Sequence, residues 1–196
     1  MPASRTERLG ILGGTFDPVH VAHLVAALEA RAQLALDRVL VVVAGDPWQK
    51  RGDVVASAED RYAMVAAALE GVDGLEASRV EIERAGPTYT ADTLHALADD
   101  DRALFLIVGS DVATRLDSWE RADEVRRLAT LAVVTRADEP VRVPPGDWRV
   151  ETVRMPRLDI SSTDIRARVA AGLPIDYLVP AGAVRVLRRR RLYTPG

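Results

Sequence analysis

The chain has no cysteine in 196 residues. Disulfides, thiolate nucleophiles and cysteine-ligated metal sites are therefore excluded. It also lacks a basic surplus. Its 26 Lys and Arg against 29 Asp and Glu give a net charge of −3, the wrong sign for a general nucleic-acid coat, so no nucleic-acid partner is expected. Long hydrophobic runs are missing too. The longest, Val39–Ala44 and Leu104–Val108, have the length of strands and fall far short of a bilayer span. The N-terminal MPASRTERLG is polar, with no apolar stretch of signal-peptide length after it. These absences lead us to expect a cytoplasmic protein with no membrane contact. What remains is an ordinary globular composition, 48% hydrophobic and 28% charged, of a size suited to a single domain over 1–196 with residues 1–8 flexible. Histidine is scarce as well. There are three, and two of them, His20 and His23, lie three positions apart in GGTFDPVHVAH.

Strand-like and helix-like segments alternate along the chain. Leu9–Leu12 and Arg38–Ala44 are apolar runs suited to buried parallel strands, and Ala103–Val108 and Thr130–Thr135 are similar. Leu75–Glu83 alternates as a strand does, and Arg149–Arg154 reads as a last strand. Between them, helical spacing covers Val21–Leu36 (Leu24, Ala27, Leu28, Leu34), Ser57–Leu69, Ala91–Leu97 and about 112–128, with Ser161–Ala171 and Ala181–Arg190 at the end. The pattern predicts an α/β fold with a doubly wound, mostly parallel sheet. In such sheets ligands bind beyond the carboxyl ends of the strands. The unusual residues fall there: Gly13-Gly14, Gly45–Lys50 and Gly109–Asp111.

Glycines after a strand admit a ligand close to the backbone, and the next helix start favours phosphate. The spacing of Gly10, Gly13 and Gly14 is not G-x-G-x-x-G, and no G-K-[ST] follows. His20 and His23 share one side of a helix start. As capping or surface residues they would be unremarked, and as metal ligands they lack nearby partners, so no metal site is expected. Donation to phosphate oxygens fits the glycine turn better. Asp17-Pro18 reads as the turn into the helix. A second candidate anion site is ISSTDIRARV, Ile160–Val169. Ser161 with Asp164 is a plain capping box, but Ser162 and Thr163 with Arg166 one turn on also describe an anion cradle. Two anion sites in one α/β domain point to a nucleoside triphosphate.

GGTFDPVHVAH together with ISSTDIR resembles the nucleotidyltransferase superfamily with (H/T)xGH and ISSTxxR motifs. PWQK (47–50), PTYTADTL (87–94), GSD (109–111), SW (118–119) and VTR (134–136) narrow the resemblance to bacterial nicotinate-nucleotide adenylyltransferases. The ordered set, spanning about Leu9 to Tyr193, is specific where any one motif is weak. The resemblance implies a Rossmann-like nucleotidyltransferase fold with a small C-terminal helical part. It implies transfer of AMP from ATP to nicotinate mononucleotide, giving nicotinate adenine dinucleotide and pyrophosphate. Mg2+ would be carried on substrate phosphates. By resemblance, His20 and His23 are catalytic and contact the ATP phosphates, with Gly13, Gly14, Thr15 and Phe16 beside them. Gly109 and Asp111 hold the ribose side, and Ser162, Thr163 and Arg166 grip the triphosphate. On the acceptor side, Trp119 stacks on the pyridinium, the Thr88-Tyr89-Thr90 segment meets the carboxylate, and Lys50 and Arg136 approach the phosphate. The chain departs from the family pattern at Ala22, where the family has glycine before the second histidine.

The amide mononucleotide or phosphopantetheine stays open as the acceptor. A non-catalytic nucleotide- or RNA-binding protein on the same fold is the alternative of another class, with Arg188–Arg191 as its basic tail. Otherwise that run reads as a solvated helix end, and His95 as an ordinary surface or packing residue. A homo-oligomer is neither required nor excluded by the sequence.

Overall fold

A computed structural model describes residues 5–46, 55–84, 86–136 and 141–195. Six strands form one sheet: β1 (Glu7–Gly14), β2 (Arg38–Val43), β3 (Leu75–Ser78), β4 (Arg102–Gly109), β5 (Ala129–Arg136) and β6 (Val150–Met155). Their order is β3-β2-β1-β4-β5-β6. β1 pairs β4 in parallel with Leu9 beside Leu104, and β4–β5 and β5–β6 are parallel as well. The order reverses between β1 and β4, the kind of place where doubly wound sheets bind ligands. The helices are α1 (Val21–Gln33), α2 (Ala58–Leu69), α3 (Thr90–Leu97), α4 (Ser110–Ala113), α5 (Ala122–Leu128), α6 (Ser162–Ala170) and α7 (Ala181–Arg189).

The chain divides into two compact units. The first comprises Met1–Gly13, Ala26–Leu40 and Tyr89–Arg157. Its core is the near-continuous apolar sequence of the central strands: Leu9, Ile11, Leu104–Val108 and Leu131–Val133 are all buried. Burial on both faces is what an apolar run without alternation requires. β6 alternates less and exposes Glu151, Thr152 and Arg154, as an edge strand can. The second unit comprises Gly14–Val25, Val41–Thr88 and Leu158–Gly196. Here α7 lies so close to α2 that a Cβ on Gly182 would stand 1.8 Å from the carbonyl oxygen of Ala67. Only glycine fits that crossing.

Local boundaries have local causes. α1 stops at Gln33 rather than Leu36 because Ala35 turns left-handed (φ 47°). Leu36 N–H then reaches back to the Arg31 carbonyl at 2.9 Å, a Schellman-type ending. α1 buries Ala27 and Ala30, while Leu28 is exposed. α2 begins where Ser57 accepts from Asp60 N–H at 3.1 Å, a cap worth about 1 kcal/mol. β3 ends at Ser78, short of the expected Glu83. The alternating VEIE that follows is a turn: Ile82 and Glu83 N–H both bond the Arg79 carbonyl, and the Arg79 guanidinium pairs with Glu59 over the Tyr62 ring. The helical stretch expected over about 112–128 is α4, a 3-10 turn (Leu116–Ser118) and α5, broken where Arg121 turns left-handed (φ 56°). Among the described residues no helix is long and apolar enough to cross a membrane.

Candidate active site

The second unit carries the turn between β1 and α1. A Cβ on Gly14 would stand 2.8 Å from the Phe16 ring, so glycine lets Phe16 fold back over the strand end. Phe16 does so in a left-handed conformation (φ 52°), and it is 3% exposed. Beside Gly13, by contrast, a Cβ would meet nothing within 4 Å. The Phe16 ring meets His23 edge-on, with centroids 5.0 Å apart. His23 in turn stacks on His20 at 3.7 Å. The His20 backbone N–H donates to His23 Nδ1 at 3.2 Å. A backbone N–H can only donate, so Nδ1 is the acceptor and the neutral His23 ring carries its proton on Nε2. His20 is buried, and burial pushes its pKa down to about 4. At neutral pH it is an uncharged ring offering a hydrogen bond. Its Nδ1 is buried with no hydrogen-bond partner. An orphan of this kind costs about 1–3 kcal/mol and calls for a ligand to complete it.

α6 is tied directly to this turn. Ser161 caps the helix by accepting from Asp164 N–H at 3.1 Å, so the plain capping reading holds for that residue. Ser162 and Arg166 do something else. Ser162 Oγ donates to the Pro18 carbonyl at 2.8 Å, and Arg166 Nη1 to the Asp17 carbonyl at 2.7 Å. Thr163 Oγ1 accepts from Arg166 Nη2 at 3.4 Å. The structure thus joins the two motifs that the sequence offered separately as anion sites. Ala22 occupies the first turn of α1.

Two residues here escaped sequence reasoning. Asp17 is far more than a turn residue. Its carboxylate is 3% exposed and accepts from Val55 N–H (2.8 Å), Ala56 N–H (3.1 Å) and the Tyr193 hydroxyl (2.6 Å). Arg61 is 1% exposed and donates to the carbonyls of Thr15 (2.7 Å), Ala56 (3.2 Å) and Gly45 (3.3 Å). Desolvation lowers its pKa, yet a guanidinium stays charged. The legible signal was its position. Arg61 shares the i, i+3, i+4, i+7 stripe of α2 with the buried Met64, Val65 and Ala68, where a cation needs a reason to be.

The remaining candidates are mostly in the first unit. Gly109 ends β4, and Ser110 Oγ bonds the Val134 carbonyl at 3.1 Å. Asp111 is exposed in α4. Trp119 is half-buried after the 3-10 turn and lines an open hollow with Asp117 and residues 121–124. Tyr89 precedes α3 without a side-chain cap, and Thr90 begins it. His95 is 2.8 Å from Glu124, and Arg121 pairs with Asp92, so α3 and α5 are joined by ion pairs. Arg136 is the last residue of β5. Thr88, in the second unit, exchanges hydrogen bonds with Asp46: its Oγ1 accepts at 3.2 Å and its N–H donates at 3.4 Å. Lys50, and the PWQK segment with it, lies outside the described residues.

A family model for cytidylyltransferase-like proteins matches residues 11–168. "Probable nicotinate-nucleotide adenylyltransferase" of Saccharopolyspora erythraea is 47% identical over 195 residues, covering 97% of this chain and 91% of that one. The protein of the same name from Streptomyces coelicolor is 46% identical over 187 residues, covering 93% of this chain and 98% of that one. The chain belongs to the nicotinate-nucleotide adenylyltransferase family. Solved structures share its fold. The Plasmodium falciparum nicotinic acid mononucleotide adenylyltransferase in complex with NaAD superposes with a TM-score of 0.77 at 17% identity, covering 95% of this chain and 97% of that one. The same parasite protein complexed with APC gives 0.75 at 16%. Both motifs of the site, GGTFDPVHVAH and ISSTDIR, overlap the matched span, which begins at Ile11 inside the first strand.

Proposed function

We propose that the chain transfers the adenylyl group of ATP to nicotinate mononucleotide, releasing pyrophosphate and forming nicotinate adenine dinucleotide. The family membership supports the reaction. The single structural observation that carries it is the stacked His20–His23 pair, with a buried, unpartnered His20 Nδ1, at the glycine turn.

In this reaction the phosphate of the mononucleotide attacks the α-phosphorus of ATP, and the bond to the bridging oxygen of the β-phosphate breaks. The nucleophile comes with the substrate, so the protein supplies position and charge stabilisation. His23 offers Nε2–H, its tautomer set by the His20 backbone. His20 enters as a neutral ring, and phosphate oxygens drawn against it favour its charged form as negative charge moves onto pyrophosphate. Ser162, Thr163 and Arg166 line the same side from α6. On the acceptor side Trp119 stacks on the pyridinium, and the backbone of the 88–90 segment receives the carboxylate. Gly109 and Asp111 take the ribose. We further propose that Mg2+ arrives on the phosphate oxygens. The fit lies in the donor set: the turn and α6 present N–H, O–H and guanidinium groups, which suit phosphate, and among the described residues no cluster of three His, Asp or Glu side chains could hold a metal. When bound, the ion neutralises part of the triphosphate charge. We place the enzyme in the cytoplasm, where ATP is available.

The test is pyrophosphate release from ATP and Mg2+, measured side by side with nicotinate mononucleotide and with its amide. Preference for the acid is the expected result. Preference for the amide moves the acceptor assignment, and release with neither overturns the reading.

A further inference from the structure

At the far end of the chain, Tyr193 adopts a left-handed conformation (φ 63°) that bulky side chains rarely occupy. Phe16, beside the histidines, does the same. Such conformations persist where surrounding contacts over-determine them. For Tyr193 the contact is its hydroxyl, 2.6 Å from Asp17 Oδ1. Asp17 is the residue between Phe16 and the Pro18 carbonyl that holds Ser162. Its own backbone carbonyl holds Arg166 at 2.7 Å, while its Oδ2 lies 3.8 Å from the same Arg166 nitrogen. That separation is too long for a hydrogen bond. The carboxylate is thus committed to Tyr193 and to the N–H groups of Val55 and Ala56, and it leaves the guanidinium otherwise engaged.

We propose that Tyr193 is a positioning residue for the triphosphate end of the site: its hydroxyl holds the Asp17 carboxylate away from Arg166, so that Arg166 is kept for ATP phosphate. The proposal rests on the adenylyltransferase reading for its ligand. With the hydroxyl gone, a buried carboxylate short of one donor draws Arg166 toward itself and away from the nucleotide. No contact of Tyr193 with the acceptor is involved, so the effect belongs to ATP alone.

The experiment is Tyr193→Phe in the full chain. The expected result is a KM for ATP raised about tenfold, the scale of one hydrogen bond to a charged group, with the KM for nicotinate mononucleotide within about twofold of the parent. The dissociation constant of a non-hydrolysable ATP analogue should rise in step. An unchanged ATP KM overturns the proposal, as does equal loss for both substrates with a lowered unfolding midpoint, the mark of a merely structural residue. If Tyr193→Phe does not fold, Asp17→Asn carries the test. With the charge gone nothing draws Arg166 from the nucleotide, so the ATP KM should stay within about twofold of the parent or fall, and a selective rise overturns the idea. Should the parent chain release no pyrophosphate, the functional reading fails, and analogue binding alone decides for Tyr193: weakening by Tyr193→Phe supports it, and equal or absent binding overturns it.

Discussion

The Gly14–His20 turn and the α3–α5 surface are built in opposite ways. Around Gly14–His20 the polar groups are inside: Asp17, His20 and Arg61 are 3%, 6% and 1% exposed. Each is fixed by backbone groups or by ring stacking, and Asp17 by the Tyr193 hydroxyl as well. On the α3–α5 surface the polar groups are paired with each other in water. His95 is 52% exposed and its partner Glu124 28%, and Arg121 and Asp92 are 40% and 32% exposed. Buried polar networks are costly to break because no solvent replaces a lost partner, whereas exposed ion pairs are screened and contribute little. The first region is therefore held in place by its own contacts. The second ties α3 to α5 through exposed ion pairs, beside the Trp119 and Tyr89–Thr90 proposed for the acceptor.

The comparison is broken most directly at Arg61. Arg61→Met keeps the apolar stem but leaves the carbonyls of Thr15, Gly45 and Ala56 without their donor, and removes a buried cation near Asp17. We expect a loss of about 3–5 kcal/mol of folding stability, read from urea unfolding. A loss under about 1 kcal/mol would mean that this network is no firmer than a surface pair. Next is His20→Ala. It removes one preorganised donor, so kcat should fall about a hundredfold or more with little change in unfolding midpoint. Near-normal turnover would take the histidine out of the mechanism.

Acid sharpens the contrast with a smaller effect. Folded His20 takes up a proton only near pH 4, because burial opposes the charge, while the unfolded ring does so near its ordinary value of 6.5. Between those values the unfolded chain binds more protons, so stability rises with pH. The contribution is complete above about 6.5 and is lost as pH falls toward about 4. Unfolding midpoints of the parent should therefore drop more steeply across this window than those of His20→Gln. Parallel slopes would show that His20 is not held neutral.

Much of this architecture is written in local pattern. The runs RVLVVV and ALFLIV suited buried strands, and Ser57 and Ser161 announced their helices by capping spacing. Both histidines were legible because histidine is scarce and the glycines precede them. What was not legible depends on partners distant in sequence. Asp17 looked like a turn because its partners lie at 55, 56 and 193, and only folding brings them in. The VEIE segment alternated like a strand, yet Arg79 finds Glu59 and Tyr62 of α2 and the backbone turns instead. The Arg188–Arg191 run is less free than its sequence suggests: Arg188 pairs with Asp176, and Arg190 with Asp60.

The smallest effect is expected at His95, and its smallness is the point. His95 Nε2 meets Glu124 Oε2 at 2.8 Å, and this hydrogen bond, foremost, holds the Glu124 carboxyl below its usual range. Glu124 also faces Arg121 and Arg127, so its charge has cationic neighbours even without the histidine. His95→Ala therefore removes one of several exposed partners. We expect kcat to be unchanged and the KM for nicotinate mononucleotide to shift less than about threefold, with the shift shrinking further as salt is raised. Steady-state kinetics at low and high salt would read this. If His95→Ala instead cost as much turnover as His20→Ala, the α3–α5 surface would be part of the rigid machinery, and the difference between the two regions would lie in solvent exposure alone.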